Sequence, residues 1–473
     1  MSGWGSIYSN TVYALQTQSA TLARLQEQVS TGLRVGKASD DPGSAVKIMD
    51  LRRKSASLDT YLKNLGQTSQ TLGNSLNAMQ QVSTSLTRVR ELLTQASSGI
   101  YSDANRASMA SEVDTLLEQT LFLANTYDLG QYSFGGQNIA TAPYVAQRVD
   151  GRITDVQYAG SLEQMWVPVA PGTNIASQLV GDEIFRISKP DTPVFIGSTG
   201  AAAGLSISTV QGDLWLTVGD GGTTSYAPAS GLGAGSSAAG DTIVGAHTIT
   251  VDAAGSTVRL DGGQAVAFTA ADDDLQLTNA DGQSVHVDMT GWVGTDGQWQ
   301  VSRSVTLSLD DGATTTTVTD FTQQVAVTDP RTGGVLMVDP SGISATGMDA
   351  VTVPGSYNLF GTLMNIRDLL SNTNGLDSSR QQELLRQATT SLMTVTDNIT
   401  QKLAAVGSRI QAMDAMTQTL ETNRDAADDR AAMLQDADIV NVATELARSQ
   451  NLYQMTLTSA ARLLSLSLLD FIQ

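Results

Sequence analysis

Apolar residues recur every seven positions along four stretches of the chain, and this spacing predicts its helices. Tyr8, Leu15, Leu22 and Val29 form the first stripe, so residues 1–31 read as one amphipathic helix. Gly32, Gly36 and Asp40-Asp41-Pro42-Gly43 end it, because Pro42 disfavours helical geometry at Asp41. Helix resumes at Ser44 with Ala45, Ile48 and Leu51. Leu58, Leu65, Leu72, Met79, Leu86 and Leu93 then repeat without a gap, and Ser98-Gly99 closes the run. A third helix from about Asp103 carries Met109, Val113, Leu116, Leu123 and Tyr127. In the second half, Asp377-Ser-Ser-Arg-Gln-Gln-Glu predicts a capped start, with Ser379 and Gln382 as a capping box. Leu385, Leu392, Ile399, Val406, Met413, Leu420, Ala427 and Leu434 follow, spanning about 75 Å at helical rise. Across Asp436-Ala-Asp438 the register jumps to Ile439, Leu446, Tyr453 and Ala460, and the chain turns almost wholly apolar from Leu463 to Ile472. Strict sevenfold spacing over such lengths implies left-handed supercoiling against partner helices.

Between these helices the period changes. From Gly130 short β-like runs appear (Thr154–Tyr158, Trp166–Val169), broken by glycine and proline, and read as hairpins on the helical body. Residues 191–350 hold 24 of the 43 glycines and alternating runs such as His247–Val251 and Val305–Leu309. Asp-Gly pairs at 261, 281, 296 and 311 separate such runs, a strong hairpin signal. Ala227 to Gly240, rich in Gly, Ala and Ser, reads as a linker.

The expected fold class is therefore α+β and multidomain. Long coiled-coil helices from both termini form a bundle, with an all-β domain inserted mid-chain. Residues 1–43 and 436–473 make a terminal helical pair, and 44–190 with 351–435 a helical body carrying hairpins. Residues 191–350 make the insertion, with room for two subdomains. A stripe on a terminal helix needs a partner, and each of these exposes more than one helix would cover. The terminal pair thus reads as an assembly surface completed by other copies of the chain. Its candidate residues are Tyr8, Leu15, Leu22, Val29, Ile439, Leu446, Tyr453, Leu463, Leu468 and Phe471.

Charge and candidate chemistry narrow the function further. The net charge is -20, which disfavours nonspecific nucleic-acid binding. Residues 191–350 carry -15 of it, with eighteen Asp against three Arg and no Glu. Cysteine is absent, so disulfides and thiol chemistry are excluded. No apolar run is long enough for a membrane helix, and the start lacks the pattern of a secretory signal. His247 and His286 read as solvent-facing strand residues, and two histidines without a third ligand make a poor metal site. Asp272-Asp273-Asp274 reads as a solvated turn rather than a calcium loop. Arg52-Arg53-Lys54 reads as a solvated helix face. Trp215, Trp292 and Trp299 read as core residues, with a carbohydrate-binding β domain as the competing reading. No catalytic, cofactor-binding or metal-binding residue is assigned.

Several stretches, in order, carry a family resemblance. Val29-Ser-Thr-Gly-Leu-Arg-Val-Gly-Lys-Ala-Ser-Asp-Asp-Pro42 is similar to the N-terminal signature of bacterial flagellins and hook–filament junction proteins (hook-associated protein type 3). Ala405-Val-Gly-Ser-Arg-Ile410 and Ser465-Leu-Ser-Leu-Leu-Asp-Phe471 resemble the C-terminal half of that family. Asp41-Pro42, Tyr132-Ser-Phe-Gly-Gly136 with Pro143-Tyr144, and the closing Leu-Leu-Asp-Phe resemble the junction branch; filament flagellin is the alternative. The resemblance covers roughly residues 5–180 and 357–473, and 191–350 has no counterpart in it. It implies an extracellular structural subunit of the flagellum, exported by the flagellar secretion system without a cleaved signal peptide. It further implies a homo-oligomeric ring between the first hook-associated protein and flagellin, an export chaperone on the C-terminus, and no enzymatic, nucleic-acid or membrane role.

Overall fold

The chain begins with α1 (Gly3–Thr31), α2 (Pro42–Ala96) and α3 (Asp103–Ala124). Six short strands follow in antiparallel pairs: β1 (Tyr127–Asp128) with β2 (Gln131–Tyr132), β3 (Tyr144–Val149) with β4 (Arg152–Tyr158), and β5 (Trp166–Ala170) with β6 (Thr173–Ala176). The short helix α4 (Gly181–Phe185) leads to β7 (Val194–Ile196), β8 (Ala202–Ala203), β9 (Gly212–Tyr226) and β10 (Gly233–Ala234). Next come β11 (Gly245–Asp252), β12 (Thr257–Leu260), β13 (Val266–Ala267), β14 (Leu275–Thr278) and β15 (Ser284–Asp288). Then follow β16 (Gly297–Ser308), β17 (Thr316–Val318), β18 (Val325–Thr328), β19 (Val335–Asp339) and β20 (Gly347–Val353). Helices α5 (Leu359–Ser371), α6 (Ser378–Gln435) and α7 (Ile439–Phe471) close the chain. This computed structural model describes the backbone of residues 3–98, 101–128 and 130–471, and the side chains of 9–98, 101–128 and 130–462.

The α+β class read from the pattern is the one the chain adopts. Two units are present, and the boundary between them falls inside α2 and α6. One comprises the stretch up to Gln70, the hairpin Trp166–Ala176, and the stretch from Arg409 onward; the other runs through Thr71–Met165 and Ser177–Ser408.

The sevenfold positions become the buried seams of the two long helices. Leu58 through Leu93 on α2 and Leu385 through Ala427 on α6 are buried at every repeat, and Leu434 is half-buried. From Pro42 onward α2 is one uninterrupted helix, so Ala45 and Ile48 begin the run that Leu58 continues. The cap of α6 differs from the expected box. Asp377 Oδ1 accepts from the Ser379 and Arg380 amides, both at 3.0 Å, because a carboxylate two residues earlier outcompetes the Ser379 hydroxyl.

In the all-β stretch an eight-stranded antiparallel sheet runs β13-β12-β11-β16-β9-β20-β7, with β17 also on β16. Two three-stranded sheets, β10-β15-β14 and β18-β19-β8, accompany it. The Asp-Gly pairs at 261, 281 and 311 each link antiparallel neighbours. Asp296-Gly297 does not; it precedes β16, which pairs with β11, and Asp296 accepts from the Ala253 amide. Residues 227–240 are not a linker. They contain β10, paired to β15, and Ser230 is fully buried with its hydroxyl on the Ala227 carbonyl at 2.6 Å.

Both histidines depart from the solvent-facing expectation. His247 is buried, with Nδ1 2.6 Å from Asp261 and Nε2 3.0 Å from the Val244 carbonyl. His286 meets buried Asp241 at 3.0 Å. Each ring lies against an aspartate that period-two patterning gave no means of seeing. Asp272 accepts from the Thr269 amide as a local turn does, while Asp274 accepts from Ser237, 37 residues away in sequence. The three tryptophans are half-buried, and Trp292 stands edge-on to Phe268.

Candidate assembly surface

The segment between α1 and α2 builds a joint with the segment between α6 and α7. Gly32 takes a positive φ of 72°, which releases the chain from α1. Leu33 then forms a β-bridge with Asp436. The Arg34 and Val35 amides donate to the Gln435 carbonyl (2.7 and 3.2 Å), and the Ala437 amide donates to the Gly32 carbonyl (2.8 Å). Arg34 adds side-chain bonds to the Leu434 carbonyl (2.7 Å) and to Asp41 (3.2 Å). Beneath them Val35, Ala45 and Ile48 pack with Leu434.

Asp41 caps α2. It accepts from the Ser44 amide at 3.1 Å and the Ser44 hydroxyl at 2.6 Å. These bonds, with Arg34, hold its carboxyl down at about 2. Asp40 binds the Gly36 and Lys37 amides (3.1 and 2.7 Å). Lys37 reaches Glu27 at 2.9 Å, which raises the lysine's pKa. Arg52, Arg53 and Lys54 are exposed, as a solvated face requires; Arg52 also donates to Gln435 at 2.6 Å, and Arg53 pairs with Asp50. Arg34, Lys37, Asp40 and Asp41 of the signature that ends in Asp41-Pro42 thus each have a task at this joint or beside it.

Beyond the joint α1 packs along α7. Leu15, Leu22 and Val29 are half-buried, as are Leu446 and Tyr453, and Ile439 is exposed. The side chains of Tyr8, Leu463, Leu468 and Phe471 lie outside the described residues. Leu25, absent from the sevenfold stripe, is the buried residue among the described side chains of α1, at 3% exposure; it stands three residues from Leu22, on the adjoining row of a 3.6-residue helix. On α7, Val440 and Met455 stand open at 77% and 67%, and Leu452 and Leu457 are also exposed. The pair therefore covers one side of each stripe and leaves apolar side chains in water.

In the other unit the Tyr132-Ser-Phe-Gly-Gly136 stretch is a packing device. Phe134 is fully buried, edge-on to Phe185 with centroids 5.2 Å apart. Tyr144 stacks tilted on Phe360 at 4.9 Å. Burial pushes the Tyr144 hydroxyl well above its ordinary range and that of Tyr158 to about 12. Gly136 has φ 62°, and a Cβ there would strike the Ser161 carbonyl and come within 2.7 Å of the Glu163 carbonyl. No cluster able to hold a metal is present among the described residues, and no helix among them is long and apolar enough to cross a membrane.

A helical frame with a terminal pair and this signature at its joint is the arrangement to set beside known proteins. Residues 6–139 match the bacterial flagellin N-terminal helical region. Among individual proteins the chain is 30% identical over 192 residues to flagellar hook-associated protein 3 of Escherichia coli K12, covering 39% of this chain and 58% of that one. It is 27% identical over 195 residues to the flagellar filament 30.7 kDa core protein of Treponema maltophilum, covering 40% and 66%. The chain thus spans a little over half the length of the hook-associated protein it matches. Among solved structures, Xanthomonas campestris FlgL aligns with a TM-score of 0.43 at 19% identity, covering 81% of this chain and 99% of that one.

Proposed function

We propose that this chain is a structural subunit of the bacterial flagellum that forms the junction ring between hook and filament. The observation that carries the reading is the half-covered terminal pair: α1 and α7 pack together yet leave Ile439, Val440, Leu452, Met455 and Leu457 exposed, a surface suited to further copies of the same helices. Similarity to hook-associated protein 3 supports the junction. In this reading the ring stands on the first hook-associated protein, flagellin continues from it, and an export chaperone covers α7 before secretion through the flagellar channel. The assembly interface comprises Tyr8, Leu15, Leu22, Val29, Ile439, Leu446, Tyr453, Leu463, Leu468 and Phe471. Its role is mechanical, and no catalytic step is assigned.

The test is Leu446→Asp with Tyr453→Asp in a strain lacking the native copy. We expect secreted, folded protein, no anchored filament, and flagellin released into the medium. Filaments still anchored by the doubly substituted chain would refute the reading. The similarity to a filament core protein keeps one alternative in view. Long filaments grown from this protein alone would select it.

A further inference from the structure

We propose that the all-β stretch is two copies of one module, the second carried in a hairpin of the first and folding independently of it. The proposal does not depend on the junction reading, since no helix enters it.

Strand pairing carries the argument. In the outer copy β9 pairs with β20 from Gly212↔Val353 to Val218↔Gly347. In the inner copy β11 pairs with β16 from Gly245↔Arg303 to Val251↔Gly297, the same seven-residue register between glycines. The other neighbours match too. Leu307 faces Val218 and Thr316 in the outer copy; Val258 faces Val251 and Val266 in the inner. The hairpin β18–β19, with Val325↔Val338 through Thr328↔Val335, repeats as β14–β15, with Leu275↔Val287 through Thr278↔Ser284. The short strand β8 sits on β19 (Ala202↔Asp339) as β10 sits on β15 (Gly233↔Asp288). Even the edge strand repeats: Phe195 on Val351 corresponds to Tyr226 on Val301.

Side-chain details follow the same correspondence. Gly200 and Gly342 approach so closely that a Cβ on either would strike the other's carbonyl; Gly231 and Gly291 do the same. Asp339 accepts from the Ser341 amide at 3.0 Å, and Asp288 from the Thr290 amide at 2.8 Å. Thr199 and Ser230, one residue before the paired glycines, are both fully buried. The apolar cores are two separate clusters filled from equivalent positions: Leu216 and Ile249, Val218 and Val251, Val327 and Leu277, Leu336 and Val285, Val338 and Val287. General β-sandwich preference accounts for alternation but not for this many coincident registers, glycine contacts and turns.

The point of insertion is equally defined. β9 leaves the outer copy at Asp220 and joins the inner at Thr224; β16 returns from Arg303 to Val305, with a register shift between them. Gly222 turns there with φ 75°. Arg303 spans the seam as a two-pronged bond to Asp220, both prongs at 2.8 Å. Asp220 and Val305 face each other across the ladder, so an Asn-Gly turn between them would close the outer copy as a plain hairpin.

Two measurements on the full chain test this. Leu277→Ala opens the inner core and Val327→Ala the equivalent place in the outer. By hydrogen exchange, we expect Leu277→Ala to raise rates at least tenfold in 229–301 while 325–353 stays within twofold of the parent, and Val327→Ala to do the reverse. Either substitution loosening both copies together would overturn independent folding. In the second measurement residues 221–304 are replaced by Asn-Gly. The shortened protein should keep parental protection in β18 to β20; loss of that protection would show one cooperative domain and overturn the proposal.

Discussion

If the Tyr132-Ser-Phe-Gly-Gly136 stretch works by close packing, Gly136→Ala should be far more damaging than an alanine at another left-handed glycine. Gly151 is the control. Its φ is 82°, it stands in the Asp150-Gly151 turn of β3–β4, and a Cβ there meets nothing within 4 Å. Gly151→Ala therefore costs only the backbone term, about 1 kcal/mol. Gly136→Ala costs the same term plus a collision with the Ser161 and Glu163 carbonyls. Both obstacles are backbone, so no rotamer change relieves them, and overpacking of this kind adds about 1–3 kcal/mol. The Gly136 amide also donates to the Leu179 carbonyl at 3.1 Å, so backbone retreat would strain that bond. A total of about 3 kcal/mol follows, three times the control. Urea unfolding of the parent and both variants measures it, with hydrogen exchange over 131–186 locating the loss. Equal destabilisation by the two alanines would refute the packing argument and leave the glycines as turn formers only.

Three further outcomes follow from individual groups. Asp41, held at about 2 against an ordinary 3.8, stabilises the joint fully above the ordinary value; that contribution is lost as pH falls through about 2. Hydrogen exchange over 33–48 should accordingly rise between pH 4 and 2 in the parent but show no such step in Asp41→Asn. Burial raises the pKa of Asp213, which accepts from Thr352 at 2.7 Å and Asn365 at 3.2 Å, so its effect has the opposite sign. Its charge weakens the fold as pH climbs above 3.8, and the stability of Asp213→Asn relative to the parent should grow from pH 3.5 to 7; a constant difference would contradict this. Buried Arg367 bonds Asp114 at 2.9 Å, the Ile153 carbonyl at 2.8 Å and Asp368 at 2.8 Å. Arg367→Met leaves these acceptors unmatched and should cost about 2–3 kcal/mol in thermal or urea unfolding, discounted for the partial exposure of both carboxylates.

The helical frame was legible because one signal repeats often enough to outweigh local noise. Leu385 to Ala427 hold their spacing over the length of α6, and each is buried. Single-residue decisions were less legible. Leu25 was passed over because a sevenfold template skips the neighbouring row, and Asp377 displaced Ser379 as the cap by two positions. The β stretch hid most. Its two copies agree in register, burial and glycine contacts, yet equivalent core positions hold Leu216 and Ile249, or Leu336 and Val285, so no repeated word appears in the sequence. Residues 227–240 looked like a linker for the same reason. Two of the glycines that suggested slack are there for close approach: Gly231 to Gly291 and Gly235 to Asp274. His247 and His286 met their aspartates only through pairing across 14 and 45 residues.

The contrast between the two sevenfold stripes bears on the proposed assembly. Both have the same spacing, but on α6 the stripe is buried within the chain, while on α7 Leu446 and Tyr453 are only half-covered and Met455 is open. Spacing and propensity alone cannot account for the difference, since both stripes share them. Among the described side chains of α7, five large apolar residues stand at 44% to 77% exposure, and covering each contributes about 1 kcal/mol, or roughly 5 kcal/mol per subunit before association costs. That is too little to hold two subunits firmly through one contact. A closed ring, in which every subunit is gripped on both sides, doubles the contacts per subunit. The proposed surface is therefore suited to a chain that stays apart while dilute and locks only when neighbours on both sides are in place.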